Sequence, residues 1–302
     1  MKTILETQKL TKQYGAQKAA ADINLSIHQG EIYGLIGQNG AGKTTILRML
    51  ANLAEPTSGN ILIYGKPRKD KALLNTRVGS LIEEPGIYPD LSAKDNLYLK
   101  ALAMGVHKKG YEEELLELVG LKDVGKKKTK GFSLGMRQRL GIALALIGNP
   151  DIVLLDEPIN GLDPQGIVEI RELILYLNKE KNITFLISSH LLEELSRVAT
   201  RYGFIAKGKL ISELSKEELI QKSLEKLVLQ VSDSKRAITV LGDLAISDFK
   251  VVDDNTLHIF SGYQDMDKIS MEMAKAGVAV RKLAIESEDL ESFYLSMVGG
   301  VQ

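Results

Sequence analysis

Eight consecutive residues constrain this chain more than any other part of it. Gly37-Gln38-Asn39-Gly40-Ala41-Gly42-Lys43-Thr44 fits G-x-x-x-x-G-K-[ST]. The stretch 31–36 reads as a strand that runs into it, and 44–53 has helical periodicity after it, so the motif falls where a strand turns into a helix. Glycine permits positive φ and close backbone approach to an anion. The unpaired N–H groups of a helix start then face that anion. Gly37, Asn39, Gly40, Ala41, Gly42, Lys43, Thr44 and Thr45 are therefore candidate phosphate-binding residues. Lys43 is expected to reach the β- and γ-phosphates of a nucleotide, and Thr44 to hold Mg²⁺.

A second feature lies downstream. Asp151-Ile152-Val153-Leu154-Leu155-Asp156-Glu157-Pro158 is an apolar strand ending in two acids. A buried strand puts Asp156 at its C-terminal tip, where open α/β sheets bind ligands. Asp156 is the candidate for Mg²⁺, through water, and Glu157 the candidate general base that deprotonates the attacking water.

Length and composition narrow the rest. The 302 residues leave room for about two domains. Lys and Arg total 39 and Asp and Glu total 39, so no bulk positive field exists to hold nucleic acid, and no nucleic-acid partner is expected. There is no Cys, which removes disulfides, thiolate zinc sites and Cys nucleophiles. No window approaches the ~18 apolar residues of a membrane span. The start lacks the apolar run of a signal peptide, so a cytoplasmic chain is expected.

Strands and helices alternate through 151–200, with strand 183–188 and helices 165–178 and 190–200, which predicts a parallel α/β core. Short β runs fill 1–32. Between 85 and 148 the pattern is mostly helical (92–104, 111–119 and 135–147), a subdomain inserted in the core, with Ser92 and Asp95 as an N-terminal cap. The expected domains are 1–214, a linker helix within 215–225, and 226–302. The last reads strand 226–231, helix 234–243, strands 249–252 and 256–260, helix 265–276, strand 278–283, which is the β-α-β-β-α-β ferredoxin-like order. A final helix is expected over 288–298.

Between the two phosphate-site motifs, Gly131-Phe132-Ser133-Leu134-Gly135-Met136-Arg137-Gln138-Arg139-Leu140 resembles the signature motif of ABC-type ATPases, L-S-G-G-Q. It departs from that consensus at Phe132, Leu134 and Met136 and keeps Ser133 and Gly135. This variant is similar to ATPases of antibiotic-peptide exporters, the bacitracin-resistance and lantibiotic-immunity type. A second departure agrees: the family usually has Gln where Glu83 aligns here, with Glu84 as the neighbouring alternative.

The resemblance covers residues 1 to about 215 and implies the remaining roles. Tyr14 stands where an aromatic stacks on adenine. Ser133 and Gly135 clamp the γ-phosphate held by the opposite subunit. Asp163, in Asn160-Gly161-Leu162-Asp163-Pro164, crosses the dimer interface, and His190 contacts the γ-phosphate. Glu83 stands where the family touches Mg²⁺ and the attacking water and couples the site to its membrane partner. The cofactors implied are ATP and Mg²⁺. One P-loop and one signature motif cannot build a composite site, so a head-to-tail homodimer is implied. A separate transmembrane permease is implied as well, with this chain peripheral at the inner face of the cell membrane. The alternative is a soluble ABC-type ATPase acting on ribosome or nucleic acid. Ribosome-acting members usually carry two cassettes, and DNA-repair members a long coiled coil between the phosphate-site motifs. Lys43 to Asp156 holds short helices with no heptad run. A GTPase switch is weaker still, for want of an N-K-x-D motif.

Overall fold

The computed structural model describes residues 2–68, 77–222 and 226–286. The helix expected over 288–298 lies outside the described residues. The chain divides into two compact units, 1–216 and 217–302.

The centre of the first unit is a six-stranded sheet. Its strands are β4 (Ile32–Ile36), β7 (Val78–Leu81), β8 (Ile152–Asp156), β9 (Thr184–Ser189), β10 (Arg201–Ala206) and β11 (Lys209–Ser215), in the order β11-β10-β4-β9-β8-β7. All neighbours pair parallel except β11, which is antiparallel to β10. Every residue of β4, β8 and β9 is buried, so they read as continuous runs and not as alternation, as strands covered on both faces do. Helix α1 (Lys43–Leu50) packs on this sheet through Ile46, Leu47, Met49 and Leu50. Burying each such side chain is worth about 1.5–3 kcal/mol. The same core takes in Leu5, Ile27 and Ile61 from a second, antiparallel sheet of β1 (Thr3–Tyr14), β2 (Gln17–Ile23), β3 (Ser26–His28), β5 (Ser58–Ile63) and β6 (Lys66–Pro67). The short β runs expected near the N-terminus thus form a sheet of their own.

The inserted helices are α2 (Ala93–Ala103), α3 (Tyr111–Leu118) and α4 (Leu134–Ala145). Ser92 and Asp95 close a complete capping box on α2. The long helix α5 (Pro164–Lys181) follows β8, with Asp163 capping Gly166 N–H and Pro164 in its first turn.

Two expectations need correction. The helix predicted over 190–200 is only α6 (Leu192–Ser196). Ser189 Oγ takes the Leu191 N–H at 3.0 Å and the Thr200 N–H donates to Ile32 O of β4 at 2.8 Å, so both ends of the segment spend their N–H groups outside a helix. The sequence reading also places no element over 201–214, where β10 and β11 form a hairpin about Lys207-Gly208, both at positive φ.

In the second unit, α7 (Lys216–Lys222) precedes a four-stranded antiparallel sheet. Its strands are β12 (Lys226–Val231), β13 (Phe249–Asp253), β14 (Thr256–Ile259) and β15 (Val280–Glu286), in the order β13-β14-β12-β15. Helices α8 (Ser234–Asp243) and α9 (Met266–Lys275) supply Ala237, Leu241, Ile269 and Met273 to its core. The element order is β-α-β-β-α-β, with the third strand slipped between the first and the second.

One close approach positions the site. A Cβ on Gly79 of β7 would stand 2.0 Å from Ala145 O at the end of α4, so only glycine lets that helix settle on the sheet. Gly79→Ala is expected to destabilise the protein by about 1–3 kcal/mol through overpacking, read as a lower midpoint in urea denaturation. An unchanged midpoint would show that α4 is free to shift.

Candidate active site

The register of the parallel strands gathers the candidate residues at one edge. Asp156 on β8 lies opposite Ser188 on β9, and Ile36 on β4 lies opposite Ser189. Gly37 N–H continues that ladder to Ser189 O at 3.2 Å. The loop from Gly37, the Asp156-Glu157 pair and His190 therefore leave the sheet from the same end.

The 37–45 segment is built for a tight backbone path. Gly40 and Gly42 have φ of 81° and 108°. A Cβ on Gly42 would stand 2.2 Å from Ala19 O on β2. Helix α1 begins after Gly42 with no side-chain cap, so the first N–H groups of its opening turn have no side-chain acceptor. Those donors and a buried lysine form a cradle that fits an anion, and the phosphates of ATP are such an anion. Lys43 is 5% exposed. Its Nζ donates to Gly37 O at 2.5 Å and to Gln38 O at 3.3 Å. It also stands 3.1 Å from Glu157 Oε1. That approach is not aligned as a hydrogen bond, and the buried Oε1 makes none. Thr44 and Thr45 are half-buried in the first turn.

Asp156 is 5% exposed. Its Oδ1 accepts a hydrogen bond of 2.5 Å from Ser188 Oγ. Glu157 has φ of 47°, an uncommon conformation for a residue with a side chain. Three contacts fix it there: its N–H meets both Ser188 O (3.2 Å) and Ser188 Oγ (3.0 Å), and its own carbonyl accepts from Asn160 N–H (3.1 Å). The side chain points to His190, whose Nδ1 is 2.8 Å from Oε2. A carboxylate with one oxygen on an imidazole and the other near a lysine has the surroundings of a candidate general base. Asp156 and Thr44 supply hard oxygen donors beside the phosphate cradle, a donor set that fits Mg²⁺.

The other predicted residues fall elsewhere. Tyr14 is 50% exposed at the end of β1, with Lys12 Nζ 5.0 Å from its ring centre. Glu83, also at positive φ (62°), follows β7, and its carboxylate pairs with Arg48 of α1 at 2.6 Å. Its side chain is thus engaged by α1 and not by Lys43 or Asp156. Glu84 beside it is exposed. Beyond Glu83 the buried Asn96 of α2 clamps Tyr88, accepting its N–H at 2.7 Å and donating to its carbonyl at 3.2 Å. Ser133 caps α4, accepting Met136 N–H at 3.3 Å, and is exposed; Gly135 is half-buried. Neither makes a hydrogen bond to Lys43 or Glu157 of its own chain. Asp163 caps α5, as described.

The sequence reading missed Ser188, which holds Asp156 with its hydroxyl and Glu157 with both oxygens. Its signal was a buried Ser ending an apolar strand. It also missed Gln138, buried on α4, which donates to Pro158 O at 3.1 Å.

Comparison with known proteins decides the family. The ABC transporter family profile matches residues 20–160. The bacitracin transport ATP-binding protein BcrA of Bacillus licheniformis is 42% identical over 302 residues, covering 99% of this chain and 99% of its own length. The chain belongs to the ABC transporter ATP-binding family. The lantibiotic transport ATP-binding protein SrtF of Streptococcus pyogenes is 44% identical over 224 residues, covering 74% of this chain and 95% of its own. Among solved structures, the dimeric ATP-binding cassette MJ0796 in a post-hydrolysis state with ADP and Pi superposes with a TM-score of 0.65 at 25% identity, over 70% of this chain and 99% of that one. The cbiO1 subunit of a Clostridium perfringens ABC transporter complex gives 0.66 at 25% identity, over 81% and 97%. As a member of this family the chain is an ATPase that binds ATP and serves a transporter, on the P-loop α/β fold expected.

The bridge made by Ser188 yields a test. Ser188→Ala is expected to lower kcat for ATP hydrolysis about tenfold with KM little changed, a hydrogen bond to a charged group being worth ~1.5–3 kcal/mol. Steady-state kinetics on the folded variant measure it. An unchanged kcat would remove Ser188 from the site.

Proposed function

We propose that this chain is the ATP-hydrolysing subunit of an exporter that removes a peptide antibiotic, or another amphipathic compound, through a separate transmembrane permease. The observation that carries this reading is end-to-end similarity to the bacitracin transport protein, at 42% identity over 99% of both chains. Similarity to the lantibiotic transport protein points to the same cargo class.

The residue roles rest on geometry and on the family pattern together. Asn39, Gly40, Gly42 and Thr45 cradle the phosphates with backbone N–H groups, Gly37 and Ala41 shape the loop with their own N–H groups on Ser189 O and Gln38 O, and Lys43 neutralises the β- and γ-oxygens. Tyr14 offers its exposed ring to adenine. Thr44 and Asp156 hold Mg²⁺, which supplies further neutralisation of phosphate charge when bound. Glu157 takes the proton of the attacking water, and His190 orients Glu157 and meets the γ-phosphate. Ser133, Gly135 and Asp163 act on the site of a second copy in a head-to-tail homodimer. The cap of α4 in Ser133 and the exposed position of that motif support this, since it makes no bond to Lys43 or Glu157 of its own chain. Glu83 serves coupling, because its carboxylate is held by Arg48 and the segment after it is clamped to α2 through Tyr88 and Asn96.

The domain assignment is 1–214 for ATP binding, with the helical subdomain about 85–148 facing the permease. It continues with 215–225 as linker and 226–302 as an accessory domain. Among the described residues no helix is long and apolar enough to cross a membrane; the similarity to a transport ATP-binding protein supports a place at the inner membrane face beside a separate permease.

The test is a native pull-down. Glu157→Gln is expected to keep ATP binding, to lose about 10²–10⁴-fold in turnover, and to trap the ATP-bound dimer. Tagged and extracted gently from membranes with ATP and Mg²⁺, it should bring down a multi-spanning membrane protein. Recovery of ribosomal proteins or nucleic acid instead would sink the transport reading and favour a soluble ATPase. Turnover near wild type would remove Glu157 as the base.

A further inference from the structure

Gln138 is 6% exposed, on the buried face of α4, five residues after the Ser133 cap. Its Nε2 donates to Pro158 O at 3.1 Å, and its Oε1 is buried with no hydrogen-bond partner. A half-satisfied buried amide is costly to keep, so the donated bond has a use that offsets the idle acceptor. Pro158 is the residue after Glu157. Glu157 sits at φ 47° with its N–H on Ser188 and its carbonyl on Asn160 N–H, and the Gln138 bond pins the next carbonyl. A strained backbone persists where its surroundings over-determine it, and Gln138 is the one contact in that set that comes from the signature helix.

A second contact runs beside the first. Leu134 stands where the family consensus has glycine, and it is 40% exposed. A Cβ on Gly161 would stand 3.4 Å from Leu134 Cδ2, and one on Gly135 would stand 3.8 Å from Leu162 Cδ2. The start of α4 therefore lies beside the 161–162 loop, with Leu134 next to Gly161.

We propose that Gln138 is a positioning residue for Glu157, through which engagement of Ser133 and Gly135 by the partner's nucleotide sets the carboxylate in this chain's own site. This rests on the head-to-tail dimer proposed above. The signature helix α4 and the Pro158 carbonyl are joined by one buried bond, and Leu134 at the start of that helix lies beside Gly161. A shift of the helix on meeting the second nucleotide moves the backbone that carries Glu157. The two sites of the dimer then fire together.

The experiment measures the ATP-concentration dependence of hydrolysis, together with ATP-induced dimerisation on a Glu157→Gln background. Gln138→Met keeps the volume, removes the donor and relieves the idle acceptor. Leu134→Gly, at an exposed position, restores the consensus glycine and tests the approach of α4 to Gly161 without touching the core. The wild type is expected to hydrolyse ATP with a Hill coefficient well above one. Gln138→Met should bring it to one and lower kcat about tenfold, with KM and dimerisation kept, as expected for about 1.4 kcal/mol lost in the transition state only. Leu134→Gly should lower the Hill coefficient part-way. A wild-type Hill coefficient of one with no dimer overturns the dimer reading and the proposal with it. A cooperative wild type with equally cooperative Gln138→Met and Leu134→Gly variants overturns the proposal alone. Should Gln138→Met fail to fold, Leu134→Gly decides by the same criterion.

Discussion

The site depends on the register of three parallel strands. With β4, β9 and β8 paired as they are, Ile36 faces Ser189 and Asp156 faces Ser188. A slip of one residue would turn every side chain of a strand to its other face. Asp156 would leave Ser188, and Glu157 would lose both partners of its N–H. No loop adjustment could restore them, because the strands are buried on both faces and cannot slide without exposing Leu154, Leu186 and Leu35. The apolar packing of the sheet and the placing of the carboxylates are the same constraint.

Much of this was legible in the sequence, for physical reasons that differ by region. The 37–44 motif is legible because a phosphate cradle needs glycine at positive φ and a lysine at a helix start, and few other residue patterns serve. The C-terminal unit is legible because its strands are short and the starts of α8 and α9 carry acidic caps: Asp233 accepts from Lys235 and Arg236 N–H, and Asp265 from Lys268 N–H. The hairpin of β10 and β11 has a turn signal in Lys207-Gly208 between apolar runs, but its strands show no clean alternation to mark them. The helix expected over 190–200 is shorter because Ser189 binds the Leu191 N–H locally and the Thr200 N–H goes to β4, neither of which periodicity registers.

Side-chain partnerships were the least legible part. Nothing in the order of residues tells that Arg48 claims Glu83, that Ser188 serves two acids at once, or that Gln138 reaches Pro158. Each joins segments 20 to 35 positions apart, and each depends on which helix face meets which strand exit. The sequence names the chemistry that is present; the fold decides which group meets which.

The position of Lys43 has a consequence for the order of events. Its ammonium already rests against two carbonyls and Glu157. The protein's own carboxylate is thus an internal competitor for the cation that a nucleotide needs. A ligand wins that contest in proportion to the negative charge it brings to Lys43, so ATP, with its γ-phosphate, has an advantage that ADP lacks.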